Sequence, residues 1–206
     1  MRYLLVLLLA CDANAEPREV IVGGRCEGCD AVFVGRPAVL RSTARIAPVG
    51  EPGEPMILEG TVRDARAQPV AGVIVYAYHT NARGLYPPTT PHPNAAERHG
   101  ALRAFARTDA NGAYRFETIR PASYPATQIP QHVHMHVVEP GRCTYFIDDT
   151  VLTDDPLLTE AVKQREHAAE RGGRGVVTPT RTPAGWLVRR DITLGARIPD
   201  YASCGK

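Results

Sequence analysis

From residue 56 onward, short apolar, strand-like runs follow one another quickly. Seven stand out, at 56–63, 72–79, 104–108, 113–116, 132–138, 143–147 and 186–194. In 132–138 apolar and polar positions alternate with a period of two, the signature of a strand with one buried face. Turn residues separate the runs. Asp109-Ala110-Asn111-Gly112 predicts a hairpin turn, because Asn-Gly supplies positive φ. A helical pattern is confined to 157–170. There Asp155 can cap, Pro156 suits the first helical position and Gly172-Gly173 can end the helix. This helix is expected to cover an open edge of the strands. Ahead of the strands, segment 16–55 holds two short apolar runs, Val20-Ile21-Val22 and Ala31-Val32-Phe33-Val34. A loop with Pro48, Gly50, Pro52, Gly53 and Pro55 follows. It reads as an N-terminal arm leading into the main domain, 56–206. The fold class expected is all-β, a β-sandwich with one short helix in the C-terminal half.

Composition agrees with short elements and many turns: Gly 18 and Pro 18 in 206 residues exclude a helical bundle. The length suits one domain and is too short for a TIM barrel. Lys+Arg 24 against Asp+Glu 22 gives a net charge of +2, without the basic bias of a nucleic-acid binder. The first 15 residues change the compartment expected. A single Arg precedes the apolar run Leu4–Ala10, which has the size of a secretory signal core and is far short of a membrane span. Ala13-Asn14-Ala15 fits signal peptidase. Leu8-Leu9-Ala10-Cys11 fits a bacterial lipobox, with Cys11 as the lipidated residue. The expectation is an exported protein, either periplasmic or a lipoprotein that meets the membrane only through that anchor.

Export makes Cys26, Cys29, Cys143 and Cys204 disulfide candidates in an oxidising compartment. Cys26–Cys29 with Cys143–Cys204 is one of three pairings. No second Cys-x-x-Cys follows, so structural zinc is disfavoured, and Asp30 stands where a haem motif needs His.

The chemistry concentrates in Gln131-His132-Val133-His134-Met135-His136-Val137. In a strand the three His share one face, opposite Val133, Met135 and Val137. Neighbouring imidazoles stand about 7 Å apart along the strand and the outer two about 13 Å. The expectation is a two-His chelate with one outer His. Tyr124 lies in a Pro-flanked loop just before this strand, and Tyr86 follows the strand ending at Tyr78-His79. Phenolate is a poor ligand for zinc and a good one for ferric iron, a hard cation that lowers the phenol pKa on binding.

Several motifs then line up. They are Gly60-Thr-Val-Arg-Asp64, Pro69-Val-Ala-Gly-Val73, Gly84-Leu-Tyr86, Thr108-Asp-Ala-Asn-Gly112-Ala-Tyr-Arg-Phe116, Thr118-Ile-Arg-Pro121, Tyr124-Pro125 and Pro130-Gln-His132-Val-His134. In order and spacing, over roughly 56–158, they resemble the intradiol ring-cleavage dioxygenases, the protocatechuate 3,4-dioxygenase and catechol 1,2-dioxygenase group. The Gly-x-Val-x-Asp and Thr-Asp-x-x-Gly parts are shared with transthyretin-like sandwiches; the Tyr…Tyr…His-x-His set is the specific part.

The resemblance implies a mononuclear non-haem Fe(III) held by Tyr86, Tyr124, His132 and His134. It implies a small aromatic diol and O2 as substrates, and cleavage between the two hydroxyl carbons to a muconate-type diacid. It makes Tyr124 the catalytic residue, the ligand that leaves as the substrate proton is taken up. His136 becomes the extra residue. Two departures go with it: Ile129 occupies a position where the family usually has Arg, and Asp149 one where it has Gln. His136, Asp149 and Arg107, with Arg120, are candidates for substrate or supporting roles. The competing readings are a non-catalytic transthyretin-like binding module of the envelope, and a His-rich metalloprotein without dioxygenase activity. The oligomeric state is open.

Overall fold

Backbone pairing sorts the strands into two stacked sheets. The computed structural model describes residues 19–26, 28–89, 96–166 and 168–205. The signal-like run and Cys11 therefore lie outside the described residues. Among the described residues there are twelve strands: β1 Val20–Ile21, β2 Thr43–Arg45, β3 Pro55–Arg63, β4 Ile74–Tyr78, β5 Arg103–Arg107, β6 Ala113–Ile119, β7 His132–Glu139, β8 Cys143–Leu152, β9 Val176–Val177, β10 Thr180–Thr182, β11 Gly185–Arg189 and β12 Ile192–Thr193. One α-helix, α1 Glu160–Glu166, lies between β8 and β9. The first sheet runs β1-β8-β7-β4-β5, with β9 also on β8. The second runs β10-β11-β3-β6-β2, with β12 also on β3. The all-β sandwich with a single short helix is thus the fold observed.

Period-two patterning explains the packing. Val133, Met135 and Val137 of β7, with Val75 and Ala77 of β4, face Met56, Leu58, Phe116 and Val188 of the other sheet. Burying these rows supplies the main driving force, about 25 cal/mol per Å² of apolar surface. The opposite face of the first sheet is also covered. Val32 and Phe33, from a 3-10 turn at Cys29–Phe33, pack there on Ile74, Tyr76, Tyr78 and Phe105. All five residues of β4 are consequently buried. β1 runs parallel to β8, with Val20 opposite Cys143. Segment 16–55 therefore contributes edge strands to both sheets and a lid over one face.

Three local expectations need correction. The Asp109–Gly112 turn is tight, with Asp109 Oδ1 accepting from the Asn111 and Ala113 amides and Gly112 at φ 71°. It makes no hairpin, because β5 belongs to one sheet and β6 to the other. The run 186–194 is two strands. Between them the fully buried Arg190 turns inward and donates to the carbonyls of Gly172, Gly173, Arg171 and Asp191. Those bonds occupy the glycines expected to end the helix. The helix is half the length expected from 157–170. Asp155 is not its cap: its Oδ1 accepts from the Leu157 amide and its Oδ2 from the Gln131 amide. Thr159 Oγ1 caps instead, accepting from the Val162 amide. Leu158 and Val162 bury against Val151 and Val176, as an edge cover should.

Candidate metal centre

β7 delivers both imidazoles because it starts at His132 and alternates. The pairing with β8 advances from Val133↔Thr150 to Met135↔Ile147. Two steps on β7 thus face three on β8, and the extra residue is a β-bulge opposite His134. Bulges re-aim side chains in this way. Here the bulge brings Asp149 Oδ1 to 2.9 Å from His134 Nδ1. His132 Nδ1 is fixed by the Pro130 carbonyl at 2.7 Å. A carbonyl and a carboxylate can only accept, so both Nδ1 atoms carry the proton and both Nε2 atoms present lone pairs.

Two loops deliver the phenols. Asn81 organises the first: its Oδ1 accepts from the Arg83 and Leu85 amides, and Gly84 follows at φ 74°. Only a residue without a Cβ fits at Gly84, since a Cβ would stand 2.0 Å from the Ser123 carbonyl oxygen. The second loop is stitched to the first by Thr80 Oγ1 donating to the Ala122 carbonyl at 2.6 Å, and by the Ala122 amide donating to the Asn81 carbonyl. Buried Asp155 joins this loop to the start of β7 through Ser123 Oγ and the Gln131 amide.

The four groups converge. Tyr124 Oη lies 2.6 Å from Tyr86 Oη, 3.0 Å from His132 Nε2 and 3.1 Å from His134 Nε2. His134 Nε2 lies 2.9 Å from Tyr86 Oη and 3.0 Å from His132 Nε2. Five short contacts share only the two phenol protons. The His132–His134 contact, lone pair against lone pair, is repulsive without a positive charge between them. Separations of this size are also the edges spanned by adjacent ligands, about 2.8 Å for two donors 2.0 Å from one cation at right angles. The donor set, two imidazoles and two phenols, suits a hard or borderline cation. Burial raises the phenols of both Tyr86 and Tyr124 above their usual value near 10, Tyr86 by far the more. Both are therefore protonated until a cation compensates the phenolate.

A cavity of about 710 Å³ opens on this cluster and is lined by Tyr86, Tyr124, His134, Asp149, Arg25 and Arg98 among others. His136 also faces it, on the same side of β7 as expected. It is 3% exposed, and burial pushes its imidazole down to about 3, so it is neutral. Two sequence candidates are elsewhere. Arg107 is exposed at the far end of β5, paired across from Ile74, whereas the site is at the Tyr78 end. Arg120 binds Asp154 and Gln131 and lies over the Trp186 ring. Neither lines the cavity. Ile129 is 40% exposed, and the cavity's guanidinium groups come from Arg25 and Arg98 instead.

Sequence reading missed the support beneath His134. The Tyr78 ring stacks on His134 at 4.6 Å on one side and on His99 at 3.7 Å on the other, and Tyr76 Oη bonds His99 Nδ1 at 2.9 Å. Tyr78 lies across from His134 and Tyr76 across from His136 in the pairing of β4 with β7, a contact between strands that no local sequence signal announces. The four cysteines form Cys26–Cys29 and Cys143–Cys204 disulfides. The first lies at the cavity edge, through Cys26.

The chain matches a family model described as Dioxygenase over residues 31–171. It is 32% identical to the catechol 1,2-dioxygenase of Acinetobacter baylyi over 101 residues, 46% of this chain and 32% of that protein. It is 32% identical to the protocatechuate 3,4-dioxygenase beta chain of Burkholderia cepacia over 116 residues, 53% of this chain and 49% of that one. Such alignments span half or less of these relatives. Among solved structures, 3-chlorocatechol 1,2-dioxygenase from Rhodococcus opacus superposes with TM-score 0.60 at 19% identity, covering 89% of this chain and 74% of that one. A dioxygenase domain from Streptomyces sp. SirexAA-E superposes with TM-score 0.57 at 19% identity, covering 78% and 94%. At these identities the structural matches speak for the fold.

Proposed function

Because the chain belongs to the intradiol dioxygenase family, we propose that Tyr86, Tyr124, His132 and His134 hold one non-haem ferric ion, at which a catechol-type diol is cleaved by O2. The bond between the two hydroxyl carbons breaks, each carbon gains one oxygen atom of O2, and a muconate-type diacid results. The observation that carries this reading is the pair of Nε2 lone pairs 3.0 Å apart, with Tyr124 Oη within 3.1 Å of both.

When bound, ferric iron withdraws electron density from a catecholate and makes its ring reactive toward O2 without an external reductant. The chain's own groups do the rest. Pro130 and Asp149 lock the imidazole tautomers, as partners of metal-bound histidines do. By the family resemblance Tyr124 Oη is the proton acceptor for an incoming diol hydroxyl, and it stands within 3.1 Å of both imidazole Nε2 atoms on the cavity wall. Tyr86, more deeply buried and packed against Tyr78, stays in place. The cavity, about 710 Å³, has ample room for a substituted aromatic diol. Two disulfides support a location outside the cytoplasm.

The test is metal content and spectrum. His132→Ala and His134→Ala each lose iron, while His136→Ala retains it. Ferric protein shows a red-brown tyrosinate band that Tyr124→Phe shifts or weakens. Anaerobic catechol perturbs the band, and O2 then yields the ring-opened diacid. Colourless protein after iron loading, or a semialdehyde product from cleavage beside the diol, would overturn the proposal.

A further inference from the structure

A second cluster of metal-ligating side chains adjoins the same cavity and uses none of the four donors above. Cys26, Cys29 and His136 place their sulfur and ring-nitrogen atoms within 4.8 Å of one another. His136 is 97% buried, and its Nδ1 has no hydrogen-bond partner. A buried imidazole nitrogen left without a partner is costly and rare. Cys29 opens the 3-10 turn Cys29–Phe33, Cys26 lies just ahead of it, and between them stands Gly28 at φ 74°. Its missing Cβ would also stand 2.6 Å from His99 Nε2, so this turn is seated directly on the aromatic stack.

We propose that reduction of the Cys26–Cys29 disulfide creates a second metal site, in which the two thiolates and the His136 imidazole hold a thiophilic d10 cation such as zinc(II). Ligands of one tetrahedral cation stand about 3.5–3.8 Å apart, given metal–sulfur bonds of about 2.3 Å and metal–nitrogen bonds of about 2.0 Å. The present cluster, with its donor atoms within 4.8 Å of one another, reaches that geometry once the sulfurs part. Cys-x-x-Cys is the spacing found in structural zinc sites. The absence of a second Cys pair, which disfavours zinc from sequence, is met by an imidazole that the fold brings from β7. The balance is closed: two electrons and two protons from a dithiol donor convert the disulfide to two thiols, and the donor becomes its own disulfide. The cation then displaces the two thiol protons. The first reduction falls on this pair because Cys26 is half-buried at the cavity edge, whereas Cys143 and Cys204 are buried.

The site does not depend on the iron assignment, and its readout is thiolate absorption. Full-length, iron-loaded protein is titrated with cadmium(II) under argon, before and after one equivalent of a phosphine reductant. The reduced protein is expected to take up one more cadmium than the oxidised protein, with an ultraviolet thiolate-to-cadmium band. The Cys26→Ser/Cys29→Ser variant loses this extra equivalent. His136→Gln weakens it about tenfold or more, as loss of one of three ligands requires. Circular dichroism shows that each variant is folded. Should His136→Gln not fold, cadmium-113 NMR of the wild type gives the answer: two sulfurs and a nitrogen are expected, and sulfur without nitrogen overturns the site. So do the absence of an extra equivalent, its survival in the double Ser variant, and unchanged affinity in folded His136→Gln. Iron-free protein gives the same cadmium result, so failure of the ferric reading leaves this test intact.

Discussion

Replacing Asp149 with Ala removes the carboxylate that holds His134 Nδ1 at 2.9 Å and leaves the two imidazoles and two phenols proposed to bind iron in place. Two effects follow. The imidazole loses its partner and rotates or changes tautomer in a fraction of molecules. Its Nε2 also becomes less basic without the negative charge behind it. A hydrogen bond to a charged group contributes about 1.5–3 kcal/mol. The Asp149 side chain is 31% exposed, so solvent screening brings the figure to the low end, about 1.5 kcal/mol. That corresponds to roughly 10-fold weaker metal binding, at the lower end of what loss of such partners costs. Asp149→Asn keeps an accepting oxygen without the charge and falls between wild type and Ala. The assay is competition for Fe(III) with a chelator of known affinity, followed by the tyrosinate band. If Asp149→Ala binds iron as tightly as wild type, the bulge on β8 does not position His134, and the tautomer argument is wrong.

Three other outcomes are expected. Gly84→Ala forces a Cβ to within 2.0 Å of the Ser123 oxygen at φ 74°, which separates the two phenol loops; stability drops by about 1–3 kcal/mol and the iron band weakens, measured by denaturant melts and titration. Removing the Cys143–Cys204 bridge, with its sequence separation of 61, costs about 4 kcal/mol by loop entropy, against about 2 for Cys26–Cys29; urea melts of the two Cys→Ala pairs should rank them so, and the reverse order refutes the account. His79 is fully buried between Thr80 and Thr118, and burial lowers its pKa from 6.5 to about 4. The unfolded chain then binds a proton that the folded chain refuses, so stability is complete above pH 6.5 and falls as pH drops toward 4, by roughly 3 kcal/mol. A urea midpoint flat across that window in wild type, or still falling equally in His79→Gln, contradicts this.

Strand patterning was legible because it depends on short-range sequence, as in the alternation within 132–138, while the grouping of Tyr86 and Tyr124 with His132 and His134 was expected from the family resemblance, and the structure brings these four side chains together. The parts that escaped depend on contacts between distant segments. Nothing local distinguishes Arg107 from Arg98, yet one end of β5 faces solvent and the loop before it faces the cavity. Asp155 has the look of a helix cap, and it spends its oxygens partly on the Gln131 amide because β7 begins beside it. The break at Arg190 is set by four carbonyls, three of them 17–19 residues upstream. His136 reads as a spare histidine until segment 16–55 folds over it.

That covering segment also constrains the order in which the molecule can be assembled. The first described strand lies beside β8, Val20 against Cys143, so a chain emerging N-terminus first cannot seat it until more than a hundred later residues exist. Tyr86, Tyr124, His132 and His134 are all made before that moment. Pairings this remote in sequence form slowly, so closing the β1 edge is a late step in building the first sheet.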